Sequence, residues 1–295
     1  MEDIDTAAMS RAVLARIRAL LPSLRPSEQA VAAVVLADPE RASSLSIGNL
    51  ADVCVTSTAS VVRFYRKVGY ARYQDFRLDL AREATRERTV NDVPDGVYED
   101  ISKTDTLHDV VAKIAAAEAM SIADTAELLN VDRLSQAVGA VRKARRIDIS
   151  SVGAGAWVGQ DLQQKLHRIG LVAHSWSDAH SSWTSAALLS SDCVAIAISH
   201  SGETMDTVEA LRIAHDAGAT TIAITNHGDS SLGKHADITL TTAARETPFR
   251  SGAMGSRIAQ MMVVDCLFMG VAQKAYDQAV DALGKTYAAV HPRRT

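Results

Sequence analysis

The spacing of hydrophobic positions changes in kind about halfway along the chain. Apolar residues up to about residue 144 recur three and four positions apart, as in amphipathic helices, and short β-rich runs follow from residue 147. Helices are predicted near 8–21, 27–37, 46–53, 58–68, 73–88, 107–128, 132–144 and 253–275. Strands are predicted at 147–152, 171–175, 193–199, 220–225 and 237–242.

These patterns predict an all-α domain followed by an α/β domain. The β-rich runs are nearly continuous in apolar residues and alternate with helix-length segments, which indicates a mostly parallel, doubly wound, flavodoxin-like sheet covered on both faces. Segment 89–105 contains Pro94, Gly96 and scattered charge without a period, so we interpret it as a linker. The predicted domains are therefore residues 1–88 and 106–295.

Composition narrows the function classes. The 295 residues carry a net charge of -4, yet residues 1–90 hold 13 basic against 11 acidic side chains, so the basic end is N-terminal. We expect no membrane span and no secretory signal, and hence a cytoplasmic protein. The three cysteines, Cys54, Cys193 and Cys266, are too far apart in sequence to suggest a disulfide framework or a metal site, and we expect no cofactor.

Residues 46–70 have the pattern of a helix-turn-helix. Apolar residues within 47–54 and again within 61–68 recur at helical spacing, with Ser57 as a candidate N-cap and Gly69 where a helix C-terminus favours positive φ. Two short helices so close together pack across one another. The alternative is a small helical dimerisation bundle whose Arg and Lys side chains form a solvated face.

The second helix of this motif is the candidate recognition helix. Its first turns hold the positions that meet base edges when such a helix enters the major groove, and its later cations suit phosphates. The predicted base-contacting residues are Thr56, Ser57, Thr58, Ser60 and Arg63, and the predicted phosphate contacts are Arg66 and Lys67.

A hydroxyl-rich loop follows the strand predicted at 193–199. Such a strand-to-helix turn combines free backbone N–H groups, a helix dipole and hydroxyl donors, and so predicts a phosphate cup. Glu203 is either the general base of an isomerase or an acid that suits the first helical turn, and we favour the second role. The predicted ligand residues of this loop are Ser199, His200, Ser201, Gly202 and Thr204.

A second turn, at 153–156, follows the first predicted strand. Gly153, Gly155 and Ala156 are predicted to line the same crevice, as is the turn at 225–227. Position 158 is Val rather than the last Gly of a GxGxxG motif, so the sequence disfavours a dinucleotide-binding site at this turn.

Over residues 8–275 the chain resembles the RpiR family of bacterial regulators, which join a helix-turn-helix to a SIS (sugar isomerase) domain. The resemblance implies that Ser199, Ser201 and Thr204 bind a sugar phosphate and that Arg257 approaches the sugar. The residues that carry the resemblance are Leu24, Asp38-Pro39-Glu40, Ser46-Ile47, Leu50-Ala51, Ser57-x-Ala59-x-Val61-x-Arg63-Phe64, Gly153/Gly155, Ser199-x-Ser201-Gly202-x-Thr204 and Ser251-Gly252-Ala253-Met254 leading to Arg257.

Three positions depart from the family pattern. Val55 replaces the usual Gly of the inter-helix turn, which predicts a rearranged turn because a β-branched residue disfavours positive φ. Thr58 replaces a frequent Pro at the start of the candidate recognition helix. Ala156 replaces a frequent Ser, so we expect the turn at 153–156 to contribute backbone groups rather than a hydroxyl.

The resemblance therefore implies a transcriptional regulator, which we expect to be a repressor of sugar or amino-sugar catabolism genes. We expect its partners to be operator DNA, a sugar phosphate such as an amino-sugar 6-phosphate, and a second or further copies of itself in a dimer or tetramer. No catalytic residue is predicted. The alternatives are a SIS-type sugar-phosphate isomerase and a scaffold whose helical end binds protein.

Overall fold

The computed structural model describes residues 13–90, 101–244 and 253–291. It forms two compact units, residues 1–128 and 129–295. Residues 91–100 of the predicted linker lie outside the described residues. The helix at 107–128 groups with the first unit, whereas the sequence placed it after the linker. Domain boundaries at 88 and 105 stay a prediction.

The first unit is helical throughout its described residues. Most helices begin at a residue that can cap them, such as Asp38, Ser46 and Ser57, whose side chains accept backbone N–H groups. The helices are α1 Val13–Leu20, α2 Pro26–Ala37, α3 Pro39–Ser44, α4 Ile47–Val53, α5 Thr58–Lys67, α6 Tyr73–Val90 and α7 Leu107–Leu128, with a 3-10 turn at Leu21–Ser23.

One apolar core holds α1 to α6 together. Phe64 of α5 and Phe76 of α6 are buried and meet edge to face, with ring centroids 5.9 Å apart. Arg16 of α1 donates to the Val68 carbonyl at the end of α5, at 3.1 Å, and also contacts Tyr70. The helix α5 is thus fixed at its C-terminus as well as along its buried face.

The second unit is an α/β fold. Its five strands pair in the order β2-β1-β3-β4-β5, and all are parallel, so the predicted fold class is confirmed. The strands are β1 Arg146–Ser150, β2 Ala173–Trp176, β3 Cys193–Ile198, β4 Thr220–Thr225 and β5 Ile238–Thr241. The helices are α8 Val131–Lys143, α9 Ala154–Arg168, α10 Ala179–Ala186, α11 Met205–Asp216, α12 Ser231–Lys234, α13 Met254–Lys274 and α14 Tyr276–Val290.

Helices cover both faces of this sheet. Isoleucines such as Ile147 and Ile196 pack with α8, α9 and α13, whereas smaller residues such as Ala195 pack with α10 to α12. Among the described residues, α13 alone is long and apolar enough to cross a membrane by length and composition. Its buried Val263 and Leu267 belong to the core of this unit, which makes that indication weak.

Candidate functional site

The helix-turn-helix consists of α4, a four-residue turn and α5. Ser57 Oγ accepts the Ser60 N–H at 3.2 Å, which confirms the predicted N-cap. Gly69, just past the end of α5, has a φ of 104°, as its position predicted. The motif is therefore delimited by the residues that the sequence identified.

The turn between the helices retains a left-handed residue. Val55 adopts a φ of 50° and is 94% exposed, so the expected rearrangement of the turn is wrong. Thr56 N–H donates to the Ala51 carbonyl at 2.9 Å, which closes the turn around this residue. A β-branched side chain in this region is strained, and the exposed isopropyl group gains little packing in return.

Val55→Gly is therefore expected to stabilise the protein by about 0.5–1 kcal/mol, because relief of left-handed strain exceeds the extra chain entropy of glycine. Urea denaturation, followed through the unfolding transition of the first unit, measures the change in the free energy of unfolding. Val53→Gly, at the exposed last residue of α4, is the control and should destabilise the protein by up to about 1 kcal/mol. If Val55→Gly and Val53→Gly lower the free energy of unfolding equally, the assignment of strain to Val55 is contradicted.

The outer surface of α5 differs in one respect from the prediction. Ser57 and Thr58 are exposed and Thr56 is half-buried, but Ser60 is only 3% exposed, so the expectation that it faces outward is wrong. Its hydroxyl lies 3.1 Å from Ser57 Oγ and accepts from Arg63 Nη2 at 2.9 Å. Ser60 thus supports the cap and the arginine from inside.

Two apolar residues on the same surface were missed. Ala59 is exposed and Val62 half-buried, and with Arg66 they recur three and four positions apart along the outer face. Methyl groups in the major groove can contact the thymine methyl. These two residues could have been identified from the sequence, because they lie seven and four positions before Arg66 and so share its face of the helix.

Some of the basic residues near α5 donate to backbone carbonyls, whereas Arg66 is exposed. Arg66 is exposed in the last turn of α5. Lys67 donates to the Ser23 carbonyl, although it is exposed, and Arg77 donates to the Ser43 carbonyl at 2.8 Å. Arg66 is therefore the cation best placed for a phosphate, and the role of Lys67 in DNA contact stays a prediction.

In the second unit, the loop after β3 brings the predicted hydroxyl groups together at the start of α11. Ser199 Oγ lies 2.9 Å from Thr204 Oγ1 and accepts the Gly202 N–H at 3.1 Å. Ser201 Oγ accepts the Glu203 N–H at 3.2 Å. Thr204 is the N-cap residue of α11, so these hydroxyls surround the positive end of a helix dipole. This arrangement can hold an anion.

Contacts with the β4–α12 connection fix this loop. The His200 carbonyl accepts the Asn226 N–H at 3.1 Å, and the Gly202 carbonyl accepts the Leu232 N–H at 2.9 Å. Gly202 has a φ of 68°, and a Cβ atom there would lie 2.0 Å from Ser230 Oγ. Glycine is required at this position both for its backbone conformation and for the close approach of Ser230.

The environment of the Glu203 carboxylate is unfavourable for a general base. Its Oε1 accepts the Ser231 N–H at 2.9 Å, so the carboxylate joins this loop to α12. Hydrogen bonds from Ser231, with a smaller contribution from the positive charge of Lys234, lower the pKa of Glu203. A general base works best with a pKa near the operating pH, and a lowered pKa makes this carboxylate a poor one.

The turn after β1 contributes backbone groups. Gly153, with a φ of 59°, precedes α9, and Ala156 N–H donates to its carbonyl at 3.2 Å. A Cβ at Gly155 would lie 3.4 Å from the Ile198 carbonyl oxygen, which shows that this turn approaches the end of β3. Arg257 is exposed in the first turn of α13, and its approach to the sugar stays a prediction. Ser251 and Gly252 lie outside the described residues.

A helical unit with a helix-turn-helix and a parallel α/β unit whose loop 199–204 brings hydroxyl groups together at a helix N-terminus define a class of transcriptional regulator. The model of the helix-turn-helix domain of the rpiR family matches residues 11–87, and that of the SIS domain matches residues 140–270. The chain belongs to the RpiR family of HTH-type transcriptional regulators.

Similar proteins span nearly the whole chain. An HTH-type transcriptional regulator of Caldanaerobacter subterraneus is 38% identical, covering 96% of this chain and 98% of the relative. The regulator YbbH of Bacillus subtilis is 31% identical, covering 97% and 99%. The Vibrio vulnificus NanR protein complexed with ManNAc-6P is 28% identical, with a TM-score of 0.59, and the match covers 95% of this chain and 98% of NanR.

Proposed function

We propose that this regulator is a repressor of sugar or amino-sugar catabolism genes, controlled by a sugar phosphate that binds the loop 199–204 and the turn 153–156. It works in the cytoplasm as a dimer or tetramer, carries no catalytic step, and needs no cofactor. Each copy places α5 in the major groove of one operator half-site. Effector binding changes operator affinity by favouring one of two states of the protein.

The observation that most supports this proposal is the group of hydroxyls in the loop 199–204, at the start of α11. Ser199, Ser201 and Thr204 offer hydroxyl groups at a helix N-terminus, which suits a dianionic phosphate. The ManNAc-6P bound to NanR supports an amino-sugar 6-phosphate as the first ligand to test. The hydrogen bond from the Ser231 N–H to Glu203, and the lowered pKa that accompanies it, argue against Glu203 as the base of the alternative, a sugar-phosphate isomerase.

The test uses the full-length protein and a selection from random-sequence DNA duplexes to obtain its operator. Fluorescence anisotropy then measures operator affinity with and without N-acetylmannosamine 6-phosphate, N-acetylglucosamine 6-phosphate, glucose 6-phosphate and inorganic phosphate. We expect one amino-sugar phosphate to change operator affinity about 5- to 150-fold, the usual range of coupling between sites. NMR of the same mixtures follows turnover of each sugar.

The outcomes separate the candidate functions. Conversion of a sugar phosphate at enzymatic rates would support the isomerase. Operator binding that no sugar phosphate changes would overturn the effector part of the proposal, and failure to enrich any DNA sequence would overturn base-specific recognition.

A further inference from the structure

A buried carboxylate lies directly behind the recognition helix. Glu28, in the first turn of α2, is 3% exposed, and its Oε2 accepts the Arg25 N–H at 3.0 Å. Its other oxygen, Oε1, lies 3.5 Å from Nε of Arg63. A buried charge is costly unless it is paired, so Glu28 favours an arginine side chain that stays close to it.

Arg63 is held along one edge of its guanidinium group. Nη2 donates to Ser60 Oγ at 2.9 Å, and Nε lies 3.5 Å from Glu28 Oε1, which is an ion-pair contact rather than a hydrogen bond. These two nitrogens point hydrogens in the same direction, which leaves the end of the group, formed by Nη1 and the second hydrogen of Nη2, for another partner. The side chain of Arg63 is 47% exposed, so it is accessible on its outer side.

The free end edge fits a pair of acceptors. A phosphate can also offer two oxygens to such an edge, so it is the place of Arg63 in the early turns of α5, where recognition helices meet base edges, that favours a base. Guanine presents two acceptors, N7 and O6, in the major groove, and a guanidinium edge with two parallel donors fits both. Fixing the long side chain before DNA arrives reduces the rotamer freedom lost on binding. An arginine oriented in this way discriminates between bases better than one that moves freely.

We propose that Glu28 is a positioning residue for sequence specificity: it holds the side edge of Arg63 so that the end edge reads one guanine in each operator half-site. The inference rests on the proposed role of α5 as the recognition helix. Glu28 itself touches no DNA. Ser60 is the second support, since its hydroxyl joins Arg63 to the N-cap of α5.

Glu28→Gln tests the proposal because it removes the charge but retains the shape and an oxygen for the Arg25 N–H. Selection from random duplexes is run on wild type, Glu28→Gln, Ser60→Ala and Asp52→Asn. Asp52 is exposed on α4, and its variant adds the same charge change as Glu28→Gln without touching Arg63. Ser60→Ala leaves α2 intact and keeps the test valid if Glu28→Gln folds poorly.

We expect Glu28→Gln to lose the preference for guanine at one position per half-site, with about tenfold or greater loss of discrimination there. Ser60→Ala should weaken the same preference, and Asp52→Asn should retain the wild-type consensus. In an Arg63→Ala background, Glu28→Gln should cause no further loss of discrimination. A merely structural role would instead lower affinity for all sequences, and its effect would add to that of Arg63→Ala.

Two results overturn the inference in distinguishable ways. If Glu28→Gln and Ser60→Ala both select the wild-type consensus with undiminished guanine preference, Glu28 does not position Arg63, and the proposed function stands. If wild type enriches no consensus at all, base recognition by α5 fails and the inference fails with it.

Discussion

A variant with both Ser199→Ala and Ser201→Ala is expected to bind its operator normally but to need about a hundred to ten thousand times more effector. Hydrogen bonds to a charged group contribute about 1.5–3 kcal/mol each, so two lost hydroxyls cost about 3–6 kcal/mol of binding free energy. Backbone N–H groups and the α11 dipole remain, which leaves weak binding. Calorimetric titration with the cognate sugar phosphate measures the loss.

The two hydroxyls differ in what they do before the ligand arrives. Ser199 is buried and accepts the Gly202 N–H, so Ser199→Ala also leaves that amide without its acceptor, at about 1–3 kcal/mol. Ser201 is exposed, so water can replace its hydrogen bond with the Glu203 N–H, and its single substitution tests ligand contact with a smaller effect on the loop. Ser231→Ala is the matched control: it removes a nearby hydroxyl that is not among the predicted ligand contacts, together with its side-chain bond to Glu203, while the backbone N–H from Ser231 to Glu203 survives. Wild-type effector sensitivity in the double variant would place the phosphate elsewhere.

The central strands of the sheet were predictable because they are buried on both faces. Residues 193–198 and 220–225 are almost entirely buried, so each reads as an unbroken β-rich run, and the structure has strands at those positions. The anion loop was predictable for a related reason. Parallel strands all end at one edge of the sheet, so hydroxyls that follow β3 must lie at that edge.

Two helices were not predicted. The six residues of α3 are too few for an apolar period, and the helix depends on tertiary contacts, including the bond from Arg77 to the Ser43 carbonyl. The helix α14 did carry a signal, because apolar residues recur three and four positions apart along it, at Tyr276, Val280, Leu283, Tyr287 and Val290.

The direction of hydroxyl and arginine side chains on α5 was beyond the sequence. Ser60 lies one position before the buried Val61 and four before Phe64, so it falls at the border of the buried face. Its hydroxyl is held on the inner side by hydrogen bonds with Ser57 and Arg63. Likewise Val55 tolerates its strained φ because the helices on either side fix the turn, which no local propensity expresses.

Arg63→Ala is expected to abolish specific operator binding while leaving effector binding unchanged. One bidentate base contact is worth about 1–3 kcal/mol of discrimination, and the proposed dimer loses it in both half-sites, so operator affinity should fall about 30-fold to 10,000-fold. Anisotropy at fixed salt with operator and with a scrambled duplex measures specific and non-specific binding side by side.

The substitution also removes the partner of Glu28, and a buried carboxylate left without its counter-ion lowers stability. Pairing Arg63→Ala with Glu28→Gln removes this charge imbalance, so a loss of specificity that persists in the double variant belongs to the base contact and not to unfolding. Arg66→Ala is the comparison within the same helix: as a phosphate contact it should weaken operator and scrambled duplex together and reduce the salt dependence by about one ion per site. If instead Arg63→Ala lowers both affinities equally while Arg66→Ala alters the preference at a single base pair, the two arginines have the opposite roles, and the base-reading edge of α5 lies one helical turn further along.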